Sequence, residues 1–155
     1  MKLLKISAMM VFLLFISCDK NNIYSKFDKG FEENRWSKAD VKTYDFTIED
    51  ETKSYDLILE FSHIAGFQFD SIPLVIEIKN PDNSKTIRSI ALQITDAQGK
   101  DLGDCGGDYC DLSEIIFQDK KLAAGSYQVT VANDFNNAYL PNVLGVGIKV
   151  NISGK

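Results

Sequence analysis

Thr43-Tyr44-Asp45-Phe46-Thr47-Ile48, a polar break over residues 49–54, and then Tyr55-Asp56-Leu57-Ile58-Leu59-Glu60-Phe61 form the stretch on which the fold is decided. In both runs every second residue is large and apolar. Side chains of an extended chain point alternately to the two faces of a sheet, so this period of two marks a half-buried strand, whereas a surface helix repeats every 3.6 residues. Outward from this stretch the period returns in Leu74, Ile76 and Ile78, in Ile90, Leu92 and Ile94, in Tyr127, Val129 and Val131, and in Val146, Ile148 and Val150. Turn-forming clusters separate the runs: Asn80-Pro81-Asp82-Asn83, Asp96-Ala97-Gln98-Gly99, Ala124-Gly125 and Pro141-Asn142. Six or more short strands without a sustained helical period predict an all-β chain, an antiparallel β-sandwich of Ig-like or jelly-roll-like form. Residues 133–140 offer caps for one helical turn, but Asn136-Asn137 is poor helix interior, and the segment reads as a loop.

The amino-terminal end has a different character. Lys2 and Lys5 precede the apolar run Ile6 to Ile16, which is followed by Ser17 and Cys18. A basic start, a short apolar run and a small residue at the cut make a secretory signal, and the run is too short to span a bilayer as a helix. Phe15-Ile16-Ser17-Cys18 further fits a permissive bacterial lipobox, in which Cys18 is acylated and becomes the new amino terminus. One acyl chain holds a protein only marginally, whereas two or three give stable attachment. The expected organisation is therefore a cleaved lipoprotein signal over residues 1–17, a lipid-anchored tether over 18–35, and a β-sandwich domain over 36–155 that begins at Trp36.

Cleavage leaves 138 residues, one domain with enough chain for a real core. Loss of Lys2 and Lys5 moves the formal charge from −5 to −7. Phosphate binding is supplied mainly by Lys and Arg, so such a surface disfavours nucleic acid as a partner. Beyond Cys18 only Cys105 and Cys110 remain, an even pair in a chain sent to an exposed compartment where disulfides persist. A disulfide across Gly106-Gly107-Asp108-Tyr109 is expected; a free thiol pair or a metal site is the competing reading, and zinc ordinarily needs four ligands where His63 is the only imidazole.

Three further constellations bear on function. Asp101, Asp104, Asp108 and Asp111, interleaved with glycines, could offer oxygen ligands to Ca²⁺, but the spacing is no EF-hand, and a solvated hairpin loop pinned by the disulfide is the plainer reading. Any Ser-His-Asp or Cys-His chemistry would have to use His63, and no Gly-x-Ser-x-Gly elbow accompanies it, so it reads as a loop histidine. The adjacent acids Asp50 and Glu51 read as a solvated turn rather than a glycosidase pair. Phe67 and Phe69, beside Gly66, are a candidate contact platform for protein or glycan, since rings give large contact area at little entropy cost; the alternative is that they close the ends of the core.

Phe67-Gln68-Phe69-Asp70-Ser71-Ile72-Pro73-Leu74, Gly99-Lys100-Asp101-Leu102-Gly103, Gly125-Ser126-Tyr127 and Val143-Leu144-Gly145-Val146-Gly147-Ile148-Lys149-Val150 follow one another in an order that resembles the gliding motility-associated lipoproteins called GldH. With Trp36 and the lipobox in front, the similarity spans nearly the whole chain. The chain departs from the family's pattern at Ser62-His63, at Asp101 and in its Cys105/Cys110 pair. The resemblance implies a lipoprotein of the gliding and type IX secretion machinery with no known enzymatic activity, and it implies no mechanism. The expectation drawn from the whole chain is a non-enzymatic accessory lipoprotein held at the outer membrane, on a face left open, and acting through contacts with other envelope proteins. It implies no cofactor beyond the lipid on Cys18. A surface glycan-binding lipoprotein using the Phe67/Phe69 loop is the alternative expectation.

Overall fold

The computed structural model describes residues 21–154, so the expected signal segment and Cys18 lie outside the described residues. In chain order the strands are β1 (Asn22–Lys29), β2 (Arg35–Ser37), β3 (Lys42–Ile48), β4 (Ser54–Ile64), β5 (Ser71–Lys79), β6 (Lys85–Gln93), β7 (Asp104–Gly106), β8 (Tyr109–Lys121), β9 (Gly125–Asn133), β10 (Tyr139–Pro141) and β11 (Val143–Ile152). They form a five-stranded antiparallel sheet ordered β1-β11-β4-β8-β7, a four-stranded one ordered β3-β9-β5-β6, and a short β10-β2 ladder. The fold is the antiparallel β-sandwich that the alternating runs predict.

The alternation explains which faces meet. Leu57, Leu59 and Phe61 of β4 sit opposite Val150, Ile148 and Val146 of β11, and all six are buried. The other sheet presents Tyr44 and Phe46 of β3 beside Val129 and Tyr127 of β9, and Ile76 of β5 beside Val131. Burying a side chain of this size contributes roughly 1.5–3 kcal/mol, so these two apolar faces dominate the stability. Tyr44 crosses the gap between them: its hydroxyl donates to the Val146 carbonyl at 2.9 Å, and burial, with the Asp28 carboxylate nearby, raises its pKa well above the ordinary phenol range. The short ladder adds Trp36 and Leu140, both wholly buried, and the indole N–H donates to the Asp40 carbonyl at 2.7 Å.

Sequence neighbours pair with each other only at β5–β6 and β7–β8. The polar break over 49–54 is thus not a hairpin turn but a crossing from one sheet to the other. Asp50 shapes it: its carboxylate accepts from the Thr52 amide and hydroxyl and lies 3.2 Å from Lys53, while its carbonyl accepts from the Tyr55 hydroxyl. The Thr52 hydrogen bonds lower the Asp50 pKa.

One boundary is corrected. The tether expected over 18–35 contains β1, and the fold starts at Asn22 rather than at Trp36. Its residues escape a hydrophobic reading because the set facing the other sheet is Tyr24, Lys26 and Asp28; Tyr24 packs on Phe46 at 5.6 Å, and the Lys26 ammonium lies 5.5 Å from the Tyr44 ring. Inward charge on an outermost strand also discourages edge-to-edge pairing with another copy. On the opposite face Phe27 lies over Gly145 and Gly147 of β11, where any Cβ would fall within 2.1 Å and 2.5 Å of the ring.

Two results are expected. Deletion through residue 20 should leave the thermal melt unchanged, whereas deletion through Lys29 should abolish a cooperative transition by circular dichroism. Gly145→Ala should destabilise by about 1–3 kcal/mol in urea melts, the usual cost of overpacking, and Phe27→Ala in the same chain should recover part of that loss.

Candidate functional site

At one end of the sandwich the β4–β5 link (65–70), the β9–β10 link (134–138) and β10 come together. Phe67 does not stand on the surface with Phe69 as a platform would require. It is 8 % exposed and packs edge-on against Phe61 at 6.2 Å, so it closes the end of the core. Phe69 is half-buried and meets Phe67 at 5.5 Å on one side and Phe135 at 4.8 Å on the other, both edge to face. Ring contacts therefore run without a break from Phe61 in the core to Phe135 at the surface.

Phe69 and Phe135, with Asn137, Ala138, Tyr139 and Pro141, line a groove of about 370 Å³. Arg35 of β2 stacks its guanidinium 4.8 Å from the Tyr139 ring, and Tyr139 remains exposed. The groove's walls are fixed by polar contacts: Asn133 donates its amide to the Trp36 and Ser37 carbonyls at 3.2 Å, Lys38 pairs with Asp134 at 3.1 Å and donates to the Phe135 carbonyl, and Asn142 donates to Gln68 at 2.8 Å. Aromatic and proline faces bordered by an arginine and amide groups suit a protein segment carrying an apolar side chain. Phe135, Tyr139 and Arg35 were not legible as a set in the sequence. They come from two segments far apart in the chain, and the local signal was two aromatics in a stretch rich in asparagine.

The second cluster is at the disulfide hairpin. Cys105 and Cys110 face each other in the β7–β8 ladder and are bonded, with Cα atoms 4.0 Å apart; Gly107, at φ +68°, makes the turn. His63 is not in a loop. It lies in β4 opposite Cys110, is wholly buried, and packs against Phe67 at 4.9 Å. Its Nδ1 is 3.0 Å from the Ile64 carbonyl oxygen, while Nε2 has no hydrogen-bond partner. The four acids proposed for Ca²⁺ are not gathered among the described residues: Asp104 and Asp111 oppose each other across the ladder, Asp108 lies in the turn with its carbonyl accepting from the Ala65 amide, and Asp101 bridges to Thr95. Asp101 instead approaches His63 and Cys110.

The edges form a third kind of site. Among the described residues β6 pairs with β5 alone, in an unbroken register from Lys85 to Gln93, and its outward-facing Ile87 is 62 % exposed. β8 also has a free edge beyond the three residues paired with β7, but two register shifts against β4 bend it, with Asp119 at φ +50°. Arg88 turns inward from β6 and donates to the Ile116 carbonyl of β8 at 2.6 Å, joining the two sheets along this side.

The profile of the GldH lipoprotein family matches residues 22–150, from the first residue of β1 into β11. The chain belongs to the GldH lipoprotein family. It is 23% identical over 119 residues to the gliding motility lipoprotein GldH of Flavobacterium johnsoniae, covering 77% of this chain and 73% of that protein. To the GldH homolog of Christiangramia forsetii it is 26% identical over 121 residues, covering 77% of this chain and 72% of the homolog. On this GldH fold the Phe67–Leu74 segment enters β5, Gly125-Ser126-Tyr127 opens β9, and Val143–Val150 lies within β11.

The closed loop is short, so reduction of Cys105–Cys110, or the paired Cys105→Ser and Cys110→Ser changes, should cost about 2 kcal/mol. Urea melts should show that loss with the cooperative transition retained.

Proposed function

We propose that this GldH-family chain is a non-enzymatic accessory lipoprotein of the gliding motility and type IX secretion machinery. The lipid on Cys18 holds it to the outer membrane, and contacts with other envelope proteins carry its role. The observation supporting this reading is the aromatic groove of Phe69, Phe135, Tyr139 and Pro141, set at one end of a domain whose family is that of gliding motility lipoproteins. The free β6 edge offers a second contact surface, since an exposed strand edge pairs readily with a partner's strand. The glycan-binding alternative relied on Phe67 and Phe69 acting together at the surface, and the burial of Phe67 weakens it.

Deletion of the gene should abolish colony spreading and reduce type IX export, and Cys18→Ser should release the protein from the membrane fraction. Restoring the gene with Phe69→Ala and Tyr139→Ala should return a folded, membrane-bound protein that cross-links to fewer envelope partners. Motility and secretion that remain intact in the deletion strain would refute the proposal, and glycan-array binding lost on Phe69→Ala would favour the alternative.

A further inference from the structure

Three side chains with metal-ligating atoms, one of them a cysteine of the disulfide hairpin, meet beside it. His63 of β4, Cys110 of β8 and Asp101 of the β6–β7 link each place a ligand atom within 4.8 Å of the others. The histidine arrives with its tautomer decided. A carbonyl oxygen only accepts, so the contact between Nδ1 and the Ile64 oxygen puts the proton on Nδ1 and leaves the lone pair on Nε2. Metal-binding imidazoles are held in the same way, by a backbone carbonyl on the far nitrogen. Here Nε2 is buried without a hydrogen-bond partner on a side chain that is 0 % exposed, a situation rare enough in folded proteins to require a cause.

With the disulfide formed, the Cys110 sulfur is committed to Cys105, and His63 and Asp101 alone make a poor site. We propose that the Cys105–Cys110 hairpin is a redox-gated binding site for Zn²⁺, shut as the disulfide and opened when a dithiol reductant cleaves it. The exposed Cys105 sulfur takes the attack of one reductant thiolate, the bond between the two cysteine sulfurs breaks, and Cys110 leaves as a thiolate. The second reductant thiol then closes the reductant's own disulfide and frees Cys105. Two electrons have passed to the protein, and the reductant's two protons go to the cysteines or to solvent.

Zn²⁺ then takes Cys105 Sγ, Cys110 Sγ, His63 Nε2 and one Asp101 oxygen, displacing any thiol protons to solvent. Zinc bonds of about 2.0–2.3 Å in a tetrahedron set ligand atoms roughly 3.3–3.8 Å apart, so the ligand atoms of His63, Asp101 and Cys110, now within 4.8 Å of one another, must close by about 1 Å, while the two sulfurs, bonded to each other in the disulfide, must part. Gly106 and Gly107 give the hairpin the freedom to do so. Two thiolates and an imidazole select zinc over calcium, which prefers oxygen.

The test uses the full chain in detergent with Cys18→Ser, so that no third thiol is present, and Co²⁺ and Zn²⁺ as probes. After reduction by a phosphine, the chain should bind one Co²⁺ with tetrahedral d–d absorption and a thiolate charge-transfer band, and Zn²⁺ should displace it; the oxidised chain should bind neither. His63→Gln and Asp101→Asn should each weaken binding by more than about tenfold, a loss that removal of a mere supporting group can already produce. Asp101 is partly exposed, so its variant keeps the test valid should His63→Gln fail to fold by circular dichroism. Equal binding before and after reduction, no tetrahedral spectrum in the reduced chain, or unchanged affinity in a folded variant of either residue would overturn the proposal.

Discussion

The whole structure depends on the pairing of the last strand, β11, with the first strand, β1, and with β4. It lies between β1 and β4, so the last strand joins the first to the middle of the larger sheet. Its own sequence makes this possible. Val146, Ile148 and Val150 fill the core face, while Gly145 and Gly147 leave the outer face open for the Phe27 ring of β1 to lie flat against the backbone. A side chain at either glycine would meet that ring, so the register of β1 on β11 is set by shape as much as by hydrogen bonds. The ring in turn covers backbone that glycine leaves bare, which is how an aromatic restores stability to a glycine-rich ladder.

Specific polar contacts then tie elements of different sheets together in the core and at its rim. Tyr44 ties β3 to β11, Arg88 ties β6 to β8, and Asn133 ties the end of β9 to the chain around Trp36. Each reaches a backbone carbonyl of an element distant in sequence. Such contacts matter less for their net free energy, about 1 kcal/mol for a typical bond, than because a partner left buried without one is costly. The Asn133 amide, held on the Trp36 and Ser37 carbonyls, also ties β9 to the β2 strand that pairs with β10 beside the aromatic groove. The same packing that closes this end of the core thus leaves Phe135 half-buried and Tyr139 exposed at its rim.

The strands that could be read from sequence are those whose side-chain chemistry repeats with their geometry. β3, β4, β5, β9 and β11 do this, and their buried residues are the ones the alternation picks out. β8 does not. Leu112 and Ile116 are buried but Ile115 between them is exposed, because a register shift against Leu57 and Ile58 adds a residue and breaks the period. β1 was hidden for another reason, since charged and aromatic residues occupy its inner face at the rim of the sandwich. The candidate site was legible only in part. Phe69 could be singled out by composition, but Phe67 beside it is core, and nothing local distinguishes the two. His63, Asp101 and Cys110 each stood out singly, yet only the β4–β8 register and the link before β7 bring them together.

What the sequence determined by itself was the class of fold and the identity of most core faces, because each rests on neighbours one or two residues apart. Tertiary structure decided which strands pair, where the domain begins and which rings reach the surface. The alternating runs around residues 49–54 specify two strands with one apolar face each, but not whether those faces lie side by side in one sheet or against each other across the core. Burial satisfies either arrangement locally. The choice of opposing faces comes from the rest of the chain, where β9 claims the edge of β3 while β11 and β8 claim both edges of β4.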